Sequence, residues 1–307
     1  DKEKVIDKGF RIAFSELISM VTTSEDKKKI EKIKISSIKR VIDSFTMKDE
    51  RFVNNEYFVK FDVNFNKKNT LDFFEKNNIF PYMPQSKNVL LIPVLVDLQQ
   101  DEIFLFDKNV VYEKWNEKNK RFYQLNYLLP SEDIEHVKLL NQNRISIEDY
   151  DFKKIIERYD LKDFIIIIIY KNNNDLTVLS KIKLNQSLKI DNKKFKKINF
   201  DKNKDIDLVI DELKVTYENH WKDINKINTS IKLPITISLN SKDNKKIQKF
   251  EDVLQKLDLV SSYEISNFDN KNIIFKIIYN GSPTSLLNSM KENEIMILTN
   301  NQSWEIK

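Results

Sequence analysis

Two glycines, two histidines and no cysteine among 307 residues remove most of the side chains from which catalytic sites are assembled. Phosphate-cradling loops use glycine for close backbone approach, thiolate chemistry needs cysteine, and general base catalysis most often uses histidine. The lack of cysteine excludes a disulfide framework, a thiolate metal site and a redox dithiol. It suits a reducing cytosol, or a periplasm in which the fold does without bridges. No run of about 18 apolar residues occurs, so no membrane-spanning helix is predicted. The longest apolar run, Phe164 to Tyr170, is far shorter and reads as a buried strand covered on both faces. Walker and dinucleotide fingerprints are absent, and nothing resembles the nucleophile elbow of serine hydrolases.

What is present is enough to fold. Hydrophobic residues make up 40% of the chain and aromatics 11%, which excludes wholesale disorder, and the length implies two or three domains. The 52 Lys and Arg face 47 Asp and Glu, a net charge of +5. Read along the whole chain, lysines and aspartates interleave, so the field is weak and does not demand nucleic acid. The chain begins at Asp1 without a methionine, so an upstream segment, cleaved or left out, is expected.

The apolar spacing predicts an α+β and α/β multi-domain protein. Residues 1–80 read as a small N-terminal α+β unit. Val5, Phe10, Ala13, Phe14, Leu17 and Val21 lie on one helix face, where Gly9 is expected to serve close packing. Ile35, Ile38, Val41, Ile42 and Phe45 form a second amphipathic segment, and Tyr57 to Phe65 alternates as a strand. Leu71 to Phe74 open a short helix capped at Asn69 or Thr70. Residues 81–224 read as a central open α/β layer, with strands at Val89 to Val96 and Phe164 to Tyr170. Pro93 is expected to place the first of these at an edge or a bulge. Asn109 caps a helix bearing Trp115, Ser131 to Asp133 start another, and Ile206 to Trp221 is amphipathic. Residues 175–184 and 188–200 read as a hairpin, its second strand polar and exposed, and 225–232 as a linker. Residues 233–307 follow the order of a ferredoxin-like βαββαβ unit.

Several of these stations resemble a bacterial family without assigned activity, the domain-of-unknown-function family 2066 of exported proteobacterial proteins. The stretches concerned are Gly9 to Leu17, Asn88 to Leu95, Asn109 with Trp115, Leu129 to Ile134, Arg158-Tyr159, the helix ending at Trp221, and Tyr279 to Ser282. The resemblance implies an exported protein with its signal removed, in the periplasm or envelope. It brings no catalytic residues with it. Val111 stands where the family places a tryptophan.

Candidate chemistry is thin, and we expect no catalytic, cofactor-binding or metal-binding residues. On a helix, Glu132 and His136 would fall four apart with Asp133 beside them, but a zinc site normally needs a third ligand and the other histidine, His220, lies far along the chain. Asp149 and Asp151 read as solvated loop acids. Trp115, Trp221 and Trp304 are the candidate partner-binding anchors, set against core anchoring. The leading expectation is a non-enzymatic periplasmic interaction or assembly module with an envelope protein partner. One alternative is single-stranded nucleic-acid binding by the C-terminal sheet, although Ile273 to Tyr279 lacks the glycine-aromatic pattern of an RNA-recognition strand. A hydrolase using carboxylates alone is the third reading. Nothing in the sequence specifies the oligomeric state.

Overall fold

A computed structural model describes residues 2–54, 56–228, 230–300 and 303–306. The chain opens with α1 (Lys2–Val21), α2 (Ser24–Lys29), α3 (Ile35–Val41), β1 (Ile42–Val53), β2 (Glu56–Phe65) and α4 (Lys67–Lys76). The middle holds β3 (Lys87–Asp97), β4 (Glu102–Phe104), α5 (Val110–Lys114), β5 (Leu125–Leu128), α6 (Ile134–Gln142) and α7 (Lys153–Ile156). It continues with β6 (Phe164–Asn172), β7 (Asp175–Leu184), β8 (Ser187–Phe195) and α8 (Asn203–Ile224). The last stretch is β9 (Leu233–Asn240), α9 (Asn244–Lys256), β10 (Val260–Phe268), β11 (Asn272–Tyr279), α10 (Pro283–Glu292), β12 (Ile297–Asn300) and β13 (Ser303–Ile306). The fold is thus mixed α+β in several sheets, as the periodicity predicts.

Two compact units result: Asp1–Ile18 with Glu25–Met83 and Lys226–Lys307, and Ser19–Ser24 with Pro84–Asn225. The N- and C-terminal segments read as separate domains share the first unit, tied by ion pairs of Lys67 with Asp258 and of Lys226 with Asp26.

In the first unit α1 packs on the antiparallel hairpin of β1 and β2 through Phe10 and Phe45, whose rings meet edge to face at 4.9 Å. Gly9 faces the Phe61 ring so closely that a Cβ would lie 2.6 Å from it, which is the packing role expected of that glycine. The amphipathic segment ends as a helix at Val41; Ile42 and Phe45 belong to β1, because pairing with Phe65 and Val63 of β2 overrides the helical spacing. The cap of α4 is Asn66, whose side chain accepts from the Asn69 N–H, so the helix starts earlier than Asn69 or Thr70.

The C-terminal sheet runs β10-β11-β9-β13-β12 over a core of Phe250, Leu254, Phe275, Leu286 and Met290. It departs from a plain βαββαβ order. β13 lies parallel to β9 and occupies the place beside it, and β12 pairs antiparallel with β13 one position further out.

The second unit is built on the sheet β4-β3-β6-β7-β8, with β5 also paired to β3. β3, β5 and β6 are mutually parallel and β7 and β8 are antiparallel. Ile165 to Ile169 are all buried, and β6 is interior to the sheet, as its continuous apolar character requires. One face holds Leu90, Ile92, Ile166 and Ile168 against Leu140, Phe152 and Ile155. The other faces α8, whose Tyr217 hydroxyl meets Ser180 Oγ of β7 at 2.7 Å. Pro93 sits inside β3 and not at an edge. Its partners on one side, β5 at 87–90 and β4 at 95–97, leave a gap at that residue. The Asn109 side chain fills it by donating to the Pro93 carbonyl at 3.2 Å while its own oxygen caps α5.

Candidate functional site

The densest collection of perturbed ionisable groups lies on α8. Residues 206, 209, 210, 213, 217 and 221 form the helix's apolar stripe, and Lys214 and Glu218 sit among them, four apart and buried. The Lys214 ammonium donates to the carbonyls of Trp115 and Lys118 at 2.6 and 2.7 Å and to Asn119 Oδ1 at 2.8 Å. It also lies over the rings of Trp115 and Tyr127 at 5.6 and 5.9 Å. All three of its donors are used, two of them on carbonyls just past the last turn of α5, where a cation is favoured. Burial away from water pulls its pKa down to about 8.

Glu218 accepts from the backbone N–H groups of Gln124 and Leu125 at 2.9 and 2.8 Å through one carboxylate oxygen. Burial raises its pKa, opposed by those two hydrogen bonds and by Lys222 and Lys214. The second oxygen has no partner, nor do the Tyr123 and Tyr127 hydroxyls or the Trp115 indole N–H. A lysine shifted down and a glutamate shifted up are the ingredients of acid/base chemistry. Here Lys214 staples the 115–119 loop and Glu218 closes the start of β5, so both groups hold chain segments in place. Concavities lie elsewhere: one of about 620 Å³ lined by Lys87, Asp163, Ser187 and Ile224, one of about 350 Å³ lined by Phe104, Asp107, Glu132 and Asp133, and, in the first unit, one of about 540 Å³ lined by Ile33, Arg40, Asp72 and Phe73.

The expected site residues are not brought together. Trp115 and Trp221 are buried in the second unit, Trp115 stacked on Tyr217 and Trp221 donating to the Gln85 carbonyl at 3.3 Å. Trp304 is half-buried against the C-terminal core of the first unit. Val111 is completely buried. Glu132 precedes α6, so the helical spacing that would set it over His136 does not form. Asp133 is the cap of that helix, accepting from the Glu135 and His136 N–H groups and paired with Arg158, which lowers its pKa. His136 is buried and its pKa lowered by that burial. His220 is likewise buried and shifted down, 3.4 Å from Ser187 Oγ. Among the described residues no cluster of three or more acidic or histidine side chains could hold a metal, and no helix is long and apolar enough to cross a membrane.

The open face of the C-terminal sheet carries Thr236, Ser238, Ile274, Lys276 and Ile278, whereas Phe275 and Tyr279 point to the core with Tyr263 packed beside them. A base-stacking platform needs rings on the open face.

Two features escaped the sequence reading. Lys214 and Glu218 were masked by the apolar residues around them, although their spacing of four beside the stripe was visible. The charge distribution is also uneven. Residues 181–197 hold seven lysines and a single acid, Asp191, a local excess greater than the net charge of the whole chain. Interleaving therefore fails in this hairpin, and a windowed charge count would have found it. No family model, curated protein or solved structure matches this chain.

Proposed function

We propose that this protein works by contact with other proteins, as a non-enzymatic interaction or assembly module of the periplasm or envelope. The observation that carries this reading is where large apolar side chains remain exposed. Two groups of them stand on strands with open flanks: Phe52, Val53 and Phe58 in the β1–β2 hairpin at 70, 49 and 46% exposure, and Leu188 and Ile190 in β8 at 69 and 64%. Apolar side chains grouped in water favour a partner, while the shifted lysine and glutamate of α8 are engaged in holding the fold. The resemblance to the exported family supports the envelope location, with which the cysteine-free composition is compatible.

Fractionation of the native protein, followed by in-cell crosslinking and mass spectrometry of what co-purifies, tests the reading. Recovery of envelope proteins is expected. Recovery of RNA, or of cytosolic proteins alone, would overturn it. Nucleic-acid binding by the C-terminal sheet has less support, because the open face offers aliphatic and hydroxyl side chains in place of rings.

A further inference from the structure

We propose that β8 is a docking edge that accepts an extended acidic segment of a partner protein as an added strand. This rests on the interaction-module reading and names its surface and the chemistry of the partner. β8 is a terminal strand of its sheet. Its register with β7 runs unbroken from the pair Leu184 and Ser187 to the pair Leu176 and Phe195. The hairpin turns through two residues, so Leu184 and Ser187 form a hydrogen-bonded pair, and such pairs recur at every second residue. The N–H and C=O groups of Leu188, Ile190, Asn192 and Lys194 therefore point outward, and among the described residues they have no partner.

All four of those residues are exposed. Proteins blunt free edges with short strands, bulges or lysines. In this sheet β4 and β5 are kept to three and four residues. β8 is nine residues long with no bulge, and lysine is the only protective device it has. Two of its outward residues are Leu188 and Ile190, which invite pairing instead of deterring it.

Charge selects the occupant. Lys193 pairs with Glu212, but Lys189, Lys194 and Lys196 are exposed and have no carboxylate partner among the described residues. Lys183 lies across from Leu188 and Lys181 across from Ile190, so both share a face with Lys194, while Lys189 stands on the opposite face; both faces of the edge are positive. A second copy of β8 would bring the same lysine excess to the edge, and in the register about Asp191 it would set Lys189 against Lys193 on both sides, so an acidic strand is the better-matched occupant. An extended segment with Asp or Glu among apolar residues meets the lysines with its acids, Leu188 and Ile190 with its apolar side chains, and the outward amides with its backbone, the mode of β-strand addition.

The test is a titration of the full chain with a blocked nine-residue peptide that alternates Glu or Asp with Val, read by amide hydrogen exchange and by fluorescence anisotropy. The expected result is saturable binding, with slowed exchange at Leu188, Ile190, Asn192 and Lys194 and not at the β7-facing amides. Raising salt from low to high ionic strength should weaken it by about tenfold. The Lys189→Glu, Lys194→Glu double variant should lose binding. Ile190→Pro should also weaken it, because it removes one outward donor and leaves the β7 ladder intact. Equal binding of the same peptide interrupted by proline would show mere charge attraction and overturn the proposal. So would absence of peptide binding, or binding only to anionic phospholipid vesicles or to single-stranded RNA. In-cell crosslinking separates the two levels. Protein partners recovered equally with the double variant would overturn the β8 edge and leave the module reading standing, whereas no protein partner with the wild type would overturn both.

Discussion

β8 and β10, nine-residue edges of the two larger sheets, are treated in opposite ways. β10, at one edge of the C-terminal sheet, pairs with β11 through two register irregularities, between Val260 and Ser262 and between Ile265 and Asn267. Its only charged side chain is Glu264. Bulges bend and twist a strand, and a bent edge is a poor template for another strand. β8 has no such break, and its charges are three lysines, Lys189, Lys193 and Lys194, with one acid, Asp191. An edge guarded by shape rejects every added strand, but an edge guarded only by charge rejects strands of like charge and admits those of opposite charge. Both edges carry exposed apolar side chains, Ile265 and Phe268 on β10 and Leu188 and Ile190 on β8, so hydrophobicity alone does not distinguish them.

That contrast can be separated first from the stability of the scaffold behind β8. Lys214→Met leaves the carbonyls of Trp115 and Lys118 and the Asn119 oxygen without their donor, which should lower unfolding free energy by about 3 kcal/mol in urea denaturation. A loss under about 0.5 kcal/mol would mean that Lys214 is not a staple. Next in size, the Lys189→Glu, Lys194→Glu double variant should weaken acidic-peptide binding by about tenfold or more, roughly 1.4 kcal/mol. Glu264→Lys on β10 should leave β10 unable to bind that peptide; if it bound, charge and not edge shape would be the whole distinction.

A third effect concerns pH. The Glu218 pKa is raised in the fold, so the protein binds a proton there that the unfolded chain releases above about 4.5. This contribution is complete below that value and is lost as pH rises through the folded pKa. Glu218→Gln should remove that decline, so the difference in stability between variant and wild type should shift in the variant's favour as pH climbs from 4.5 toward neutrality. Lys214 has the opposite slope: with its pKa lowered to about 8, its contribution rises between pH 8 and the ordinary lysine range near 10.5. Smallest of all, Leu188→Thr or Ile190→Thr should change stability by under about 0.5 kcal/mol, since both side chains already stand in water.

Much of the second unit is legible in the sequence because its elements are buried in simple ways. Ile165 to Ile169 form an uninterrupted run since β6 is covered on both faces, and α8 shows its stripe since one side packs on the sheet. β1 was hidden for the opposite reason. It is exposed along most of its length, so Asp43, Ser44, Thr46 and Lys48 give no alternation, and its identity comes from pairing with β2. Pro93 misled because proline deters central strands, whereas Asn109 supplies the missing partner from 16 residues away. The place of β13 between β9 and β12 depends on long-range pairing that no local pattern records. The β8 edge was read correctly as polar and exposed; its lysine surplus was lost by averaging charge over the whole chain.

A photo-crosslinking side chain placed in living cells at Asn192 on β8, with the same side chain at Ser266 on β10 as the comparison, tests the central contrast most directly. Discrete adducts to a protein with an acidic extended segment from position 192, and none from 266, are the expected result. Equal labelling from the two positions, or labelling from 266 alone, would contradict it.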